Sequence, residues 1–388
     1  MAGDDRAWNT TMNRLLAFTL ARDPRLRFRG FVPKDTYRRS ELESSIELVE
    51  DESRQGNLPS ELLNFPPGIA NMDYLIMHSF TPELGEQAEK ICKAKNCKWI
   101  HVVHTLWAEV VKFFIAVGTP IVRTAEEEHQ KQMELCEKAD IVVTIGPKVA
   151  KAYRLALHPS GKDTNVICLT PSIFPELHQN ENSVHKIYEN RDKFCVLIDA
   201  ADSAGYFNAK GCDIAIEAIS SLQDTSYHLL FVPRTGRDST DLQTILKGKN
   251  LDWNQFTLKP CVGTTTHWAK CIVDADADVV IMPSRFEGFG LSGLYAISAS
   301  VPVLVSRNSG LAMALKMLPS GANHVVESDD PQVWAYKIKA IREKDPAIRA
   351  LEAEQLRNEY MYKFNWEDQC NELVEKMITK HSKYRVSY

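Results

Sequence analysis

Residues 283–293 read Pro-Ser-Arg-Phe-Glu-Gly-Phe-Gly-Leu-Ser-Gly, and this stretch carries the residue types best suited to holding an anionic ligand. Gly288 and Gly290 lack a Cβ, so the backbone can approach a ligand closely there. Glu287 lies among two phenylalanines and two glycines, a setting that favours a functional carboxylate over a solvated one. The N–H groups of a helix beginning at Leu291 would attract negative charge. The stretch therefore predicts a ligand site that combines a carboxylate with a helix N-terminus.

The residues around this loop predict the elements that position it. The apolar, β-branched run at 279–282 is typical of a buried parallel strand, and a proline ends it. Leu291, Leu294 and Ile297 follow at helical spacing, and 301–305 reads as the next strand. Together these form a right-handed βαβ unit. Its loop lies at the carboxyl end of a parallel strand, where ligands of such folds bind.

Strands and helices alternate along the rest of the chain, which predicts parallel sheets covered by helices. In the first half we expect helices at 9–22, 82–95, 126–138 and 148–157, strands at 28–32, 74–78, 99–104, 141–145 and 166–169, and an acidic surface segment at 40–52. After a linker at 171–191, we expect strands at 194–198, 228–232 and 324–326, helices at 212–222, 241–246 and 331–343, and a helical tail through 380. The chain opens on a helix, so the first strand of the N-terminal domain is missing or that domain is built differently.

Composition narrows the class of protein. The chain has 388 residues, 44% of them hydrophobic and 25% charged, which is typical of a soluble globular protein of two domains. A net charge of −5 gives no basic surface for nucleic acid. The acidic N-terminus does not resemble a secretion signal, and the nine cysteines show no zinc-like spacing. We therefore expect a cytoplasmic protein with reduced thiols and no metal site.

The order Pro-Ser, two residues, Glu-Gly-Phe-Gly-Leu, then a helix and a Val-Pro-Val strand, resembles the family 4 glycosyltransferases. Weaker points of resemblance are Lys210-Gly211 before a helix, the linker-like segment 169–171 and the Phe-Asn-Trp of 364–366. The resemblance implies the GT-B fold, an α/β architecture of two Rossmann-like domains whose parallel sheets face each other across a cleft. The domains would be 1–175 on the acceptor side and 190–365 for the nucleotide-sugar donor, with 366–388 crossing back to the first.

What the resemblance implies for individual residues follows the family's motif. Glu287 would lie against the transferred sugar, Lys210 would neutralise the donor diphosphate, and His104, at the end of a strand, would contact the sugar. These three are the predicted catalytic residues. The predicted donor-binding residues are Gly288, Phe289, Gly290, Leu291, Ser292, Tyr295 and Arg234. A structural role for His104 is the alternative to a catalytic one.

Two positions depart from the family pattern. The family's second glutamate, which accepts hydrogen bonds from both ribose hydroxyls, is here Tyr295, whose single phenolic oxygen cannot do the same. Losing such a pair costs about 2 kcal/mol of donor binding. The family's arginine would fall in 199–203, which holds two carboxylates and no cation. Arg234, Arg237 or Arg285 would have to compensate.

The predicted function is that of a hexosyltransferase that moves a sugar from a nucleotide diphosphate sugar, taken as a UDP sugar, to an unspecified acceptor hydroxyl. Retention of configuration and the absence of any cofactor or metal are part of this prediction. The alternative is a catalytically reduced relative that binds a nucleotide sugar, a glycan or a protein partner. An epimerase or phosphorylase on the same architecture is a third reading. The apolar segment 107–117 fits a buried helix more simply than membrane contact.

Overall fold

The computed structural model describes residues 5–33, 47–51, 71–78, 82–116, 122–177, 192–200, 204–233, 244–246, 254–259, 271–272 and 276–385. The chain divides into two compact units. The N-terminal unit comprises Asn9–Thr170 and Trp366–Tyr388, and the C-terminal unit comprises Pro171–Asn365 and Met1–Trp8. The division lies at the start of the predicted linker, whose residues 178–191 are outside the described ranges.

The described α-helices and β-strands are in chain order α1 (Asp5–Arg22), β1 (Arg29–Pro33), β2 (Glu47–Asp51), β3 (Tyr74–His78), α2 (Pro82–Lys95), β4 (Lys98–Val103), α3 (Trp107–Ala116), α4 (Val122–Lys138), β5 (Ile141–Ile145), α5 (Pro147–Leu157), β6 (Val166–Leu169), β7 (Phe194–Ala200), α6 (Ala204–Ala209), α7 (Cys212–Ser221), β8 (Tyr227–Pro233), β9 (Phe256–Leu258), β10 (Val279–Met282), α8 (Leu291–Ser298), β11 (Val303–Ser306), α9 (Gly310–Leu315), β12 (Val325–Val326), α10 (Pro331–Arg342), α11 (Pro346–Lys363) and α12 (Trp366–Arg385).

The N-terminal unit contains a four-stranded parallel sheet in the order β3-β4-β5-β6. All five residues of β5 are buried, because helices cover both faces of a parallel sheet and leave no solvent-facing positions. Strands β1 and β2 pair with each other, also in parallel, as a separate two-stranded sheet.

Helix α12 is part of the N-terminal unit although it lies at the end of the chain. Gln369 bonds both backbone groups of Thr170: the Thr170 N–H donates to Oε1 (2.6 Å), and Nε2 donates to the Thr170 carbonyl (3.0 Å). The Trp366 indole N–H donates to Thr19 Oγ1 at 3.0 Å. These bonds tie the last helix to α1 and to the residue that follows β6.

The C-terminal unit contains a six-stranded parallel sheet in the order β12-β11-β10-β7-β8-β9. From β7 the chain runs outward through β8 and β9, and then returns to the other side of β7 with β10. Neighbours β7 and β10 are in register from Val196↔Val279 to Ile198↔Ile281. This reversal is the topological switch point of the sheet, and open parallel sheets bind their ligands at the carboxyl ends of the strands at such a point.

Two parallel sheets with helical connections confirm the predicted α/β class. Most expected elements are found within a few residues of their predicted bounds. Strand β2 was not predicted and lies within the segment 40–52, expected to be acidic and surface-like: its pairing with β1 overrides the weak strand preference of three acidic residues among five. Helix α9 was not predicted, because six residues are too few for a helical period to show. The predicted helix 241–246 is described only at 244–246.

Two further sequence expectations can be compared with the structure. Seven of the described cysteines are free thiols, but Cys271 is disulfide-bonded, so the expectation of reduced thiols is wrong for this residue. In the parts of the chain that are described, no helix is long and apolar enough to cross a membrane. In the apolar segment 107–117, helix α3 buries the side chains of Val110 and Val111.

Candidate functional site

The predicted ligand loop, residues 283–290, connects β10 to α8 in the C-terminal unit. Gly290 is the N-cap of α8 and has φ +109°, a left-handed conformation that favours glycine. A Cβ on Gly290 would also lie 2.5 Å from Met282 Cε. The glycine therefore allows the chain to turn directly from the strand into the helix, with the helix N–H groups at the carboxyl edge of the sheet.

Helix α9 supports the other side of this loop. The Leu311 N–H donates to the Phe289 carbonyl at 2.7 Å, and Glu287 forms a parallel β-bridge with Ser309. A Cβ on Gly310 would come within 2.3 Å of the Gly288 carbonyl oxygen. Ser309 caps the helix by accepting from the Ala312 N–H at 3.0 Å. Ser309-Gly310, a helix-capping residue followed by glycine, is a local signal from which helix α9 could have been predicted.

Arg285 fastens the loop to the segment that carries Lys210. Its guanidinium donates two hydrogen bonds of 2.7 Å to the two carboxylate oxygens of Asp213, and Nη1 also donates to the Asn208 carbonyl at 2.5 Å. The Arg285 backbone N–H donates to the Ala209 carbonyl at 2.9 Å. The bonds to Asp213 raise the pKa of Arg285 above its ordinary value. Such a bidentate pair fixes geometry more strictly than a single ammonium contact.

Gly211 allows the same two segments to approach each other closely. Its φ is +70°, and a Cβ there would lie 2.1 Å from the Pro283 carbonyl oxygen. The glycine is thus required both by its left-handed backbone and by the contact. Lys210 is consequently held beside the loop, which explains the Lys-Gly order in physical terms.

The structure brings together two of the three predicted catalytic residues. Lys210 Nζ donates to Glu287 Oε2 at 2.7 Å and lies 3.8 Å from Asp199 Oδ2. Asp199 in turn accepts a 2.6 Å hydrogen bond from Ser292 Oγ in the first turn of α8. The side chains of Lys210 and Glu287 are 28% and 22% exposed, so both reach solvent at this edge. Asp199 is buried.

The predicted donor-binding residues are placed as follows. Phe289, Leu291 and Ser292 have buried side chains, so contact with a ligand would use their backbone N–H groups. Tyr295 is 2% exposed, and its ring packs against Phe174 with centroids 4.7 Å apart. Arg234 lies outside the described residues. The roles assigned to these residues stay predictions.

His104, the third predicted catalytic residue, belongs to the N-terminal unit and follows β4. Its Nε2 lies 3.1 Å from Nδ1 of His78, the last residue of β3. Burial lowers the pKa of His104 to about 3 and that of His101 to about 3, the latter helped by the neighbouring His104. Burial, with both other histidines nearby, also lowers the pKa of His78. The pair is therefore neutral at pH 7, and one imidazole donates while the other accepts.

Sequence reasoning did not identify His78 or Asp199 as members of these clusters. For His78 a usable signal existed, because β3 and β4 are parallel neighbours, β3 ends on His78 and His104 follows β4. For Asp199 the signal is its position near the end of β7, at the switch point of the sheet. Among the residues described, no group of three or more His, Cys, Asp or Glu side chains is placed to hold a metal ion.

Comparison with known proteins gives consistent matches. Residues 9–373 match the family model described as "Family 4 Glycosyltransferase in conflict systems". The chain is 23% identical to a D-inositol 3-phosphate glycosyltransferase of Corynebacterium urealyticum, over 82% of this chain and 76% of that protein.

Solved structures with the same fold are also found. Sucrose-phosphate synthase from Thermosynechococcus elongatus is 20% identical and superposes with a TM-score of 0.73, covering 97% of this chain and 94% of that one. Anabaena HepE in complex with UDP-glucose is 15% identical, with a TM-score of 0.57 over 78% of each chain. The predicted GT-B fold is thereby confirmed.

Proposed function

This chain belongs to the family 4 glycosyltransferases of conflict systems, and from that premise we propose that it transfers a hexose from a nucleoside diphosphate sugar to an acceptor hydroxyl. The family membership confirms the predicted enzyme class, a glycosyltransferase. Retention of the anomeric configuration and a reaction without metal or cofactor are further parts of the proposal. So is the division in which 190–365 binds the donor, 1–175 serves the acceptor, and 366–388 crosses back to the N-terminal domain.

The observation that carries the proposal is the contact of Lys210 with Glu287 beside the N-terminus of α8. When the bond between the sugar's anomeric carbon and the diphosphate oxygen breaks, negative charge accumulates on the leaving diphosphate. An ammonium and helix N–H groups held in place before the reaction stabilise that charge without having to reorganise. On donor binding, Lys210 would exchange Glu287 for a phosphate oxygen, and Glu287 would turn to the sugar hydroxyls.

UDP is the nucleotide that the comparisons favour, because HepE is described in complex with UDP-glucose and with UDP. That ligand belongs to HepE, and we extend it to this chain as part of the proposal. The predicted catalytic role of His104 is also included. A neutral imidazole suits hydrogen bonding to a sugar hydroxyl better than general acid catalysis, since its pKa of about 3 leaves it unprotonated at pH 7.

The test is turnover of UDP-glucose by the Glu287→Ala variant, measured as UDP release with and without a panel of acceptor sugars and polyols. We expect release to be lost in this variant while circular dichroism remains that of the wild type. Glu217→Ala is the matched control, because Glu217 is an exposed glutamate on α7 of the same unit. Turnover in Glu287→Ala equal to that of the control would remove Glu287 from the mechanism.

A second candidate function, a nucleotide-sugar-binding protein without turnover, is favoured by one specific observation. Of the described cations at the loop, Lys210 is flanked by two carboxylates, and Arg285 is engaged with Asp213. Calorimetry with UDP-, GDP- and ADP-sugars, followed by the release assay, separates the two functions. Binding without release for every donor and acceptor combination would favour the binding protein.

A further inference from the structure

Asp199 places a carboxylate against the start of α8. It is the penultimate residue of β7, one position beyond Ile198, which pairs with Ile281 of β10. Its Oδ2 accepts a 2.6 Å hydrogen bond from Ser292 Oγ, and Ser292 is the second residue of the helix. A negative group in the first turn of a helix is stabilised by the helix dipole, just as a bound phosphate would be.

The same carboxylate oxygen lies near the cation that would meet the donor. Lys210 Nζ is 3.8 Å from Asp199 Oδ2 and 2.7 Å from Glu287 Oε2. Among these three described side chains, one ammonium thus faces two carboxylates. A diphosphate approaching Lys210 and α8 would meet a repulsive charge that is already built into the protein. At a separation of about 4 Å near a protein surface, the repulsion between a carboxylate and a phosphate is large enough to change the affinity for the diphosphate.

Burial keeps this carboxylate where it is. Asp199 is 5% exposed, and its hydrogen bond to Ser292 is itself buried, so salt in the solvent screens it weakly. Glu287, by contrast, is partly exposed and can turn away from Lys210 when a ligand enters. Of the two carboxylates beside Lys210, Asp199 is therefore the one that a ligand cannot easily displace.

We propose that Asp199 is a specificity-determining residue: its carboxylate holds the anion position at the N-terminus of Leu291–Ser298 and lowers the affinity of the site for diphosphates. This inference rests on the proposed function for the location of the donor. The inference goes beyond the proposed function because it assigns a role to Asp199, a residue outside the donor motif. A nucleoside diphosphate still binds beside Lys210, but more weakly than it would without the Asp199 charge.

The test is calorimetric binding of UDP and of inorganic pyrophosphate to Asp199→Asn, which removes the charge and nearly preserves the shape. We expect about tenfold tighter binding of both ligands than to the wild type. Asp192→Asn is the matched control: Asp192 is exposed and precedes the other end of the same strand, and its loss changes the net charge equally. We expect this control to bind like the wild type.

The outcomes separate this inference from the proposed function. Equal binding by wild type, Asp199→Asn and Asp192→Asn, with UDP bound by all three, overturns the role of Asp199 and leaves the proposed donor intact. Tighter pyrophosphate binding by Asp199→Asn without any UDP binding supports the role and counts against a UDP donor. No binding of either ligand by any of the three overturns both. Asp199→Ala is the second variant should the asparagine fail to fold.

Discussion

Lys210 and Glu287, 77 residues apart in the sequence, meet at 2.7 Å at the carboxyl edge of the C-terminal sheet. The contact depends on two features of the surrounding chain: Gly211, which packs against Pro283, and Arg285, which holds Asp213. The ammonium is therefore positioned before any ligand arrives. Preorganised charge of this kind is the main contribution that a protein can make to the departure of a diphosphate.

Replacing Lys210 by glutamine should weaken UDP binding by tenfold or more, because the carboxylates of Asp199 and Glu287 would then face the diphosphate without the Lys210 ammonium. Isothermal titration calorimetry measures the change. Lys344→Gln is the control, since Lys344 also pairs with a glutamate, Glu352 at 2.5 Å, but on an exposed surface of the same unit. Similar UDP affinities for the two variants would exclude Lys210 from the phosphate site.

Gly211→Ala should be much more destabilising than Gly161→Ala, although both glycines have nearly the same backbone. Their φ angles are +70° and +68°, so each alanine costs about 1 kcal/mol in conformational strain. Only at Gly211 would the new Cβ meet another atom, the Pro283 carbonyl oxygen at 2.1 Å, whereas nothing lies within 4 Å of Gly161. We expect an additional loss of about 2 kcal/mol or more at Gly211, measured by urea denaturation. Equal losses would show that the Gly211 contact relaxes at little cost.

The buried histidines should make the stability of the N-terminal unit depend on pH. His101 and His104 have folded-state pKa values of about 3, below the ordinary value of about 6.5, so the unfolded chain binds more protons between these limits. These two histidines leave the free energy of unfolding unaffected above about pH 6.5 and lower it progressively as the pH falls towards 3. Each histidine adds a slope of up to about 1.4 kcal/mol per pH unit.

His104→Gln should accordingly flatten the dependence of unfolding free energy on pH between 7 and 5, as measured by denaturant titration at each pH. His158→Gln is the control, because that side chain is 78% exposed. A His104→Gln slope as steep as that of the control would mean that His104 is protonated in the folded protein at these pH values.

Restoring the family's glutamate by Tyr295→Glu should not restore ribose binding. The Tyr295 side chain is 2% exposed and packs on Phe174, so a carboxylate there would have to be buried. We expect a loss of about 3 kcal/mol or more in unfolding free energy and no gain in UDP affinity. Tyr295→Phe, which keeps the ring contact, provides the comparison. A stable Tyr295→Glu variant that binds UDP more tightly would show that this position does reach the ligand.

Much of the fold could be read from local patterns. The strand, glycine loop and helix at 279–298 show their periodicity and their turn residues within about twenty positions, so they were predicted close to their observed bounds. Strand β2 shows no such local pattern, and helix α9 shows only its capping serine and the glycine that follows it. The first is stabilised by pairing with β1, and the second by its bond to Phe289, and neither partner is adjacent in the sequence.

The sequence by itself determined the residue types of the site: a glutamate-glycine loop, a lysine before glycine and a histidine after a strand. The tertiary structure decided which of them act on one another. Strand order at the switch point brings Asp199 to Ser292, and packing at Gly211 brings Lys210 to Glu287, although a residue's type shows neither contact. Charges interact through distances in space, and parallel sheets juxtapose strand ends that are far apart in the sequence. The motif therefore indicated the family, and only the fold showed that a carboxylate, Asp199, lies beside both Lys210 and the first turn of α8.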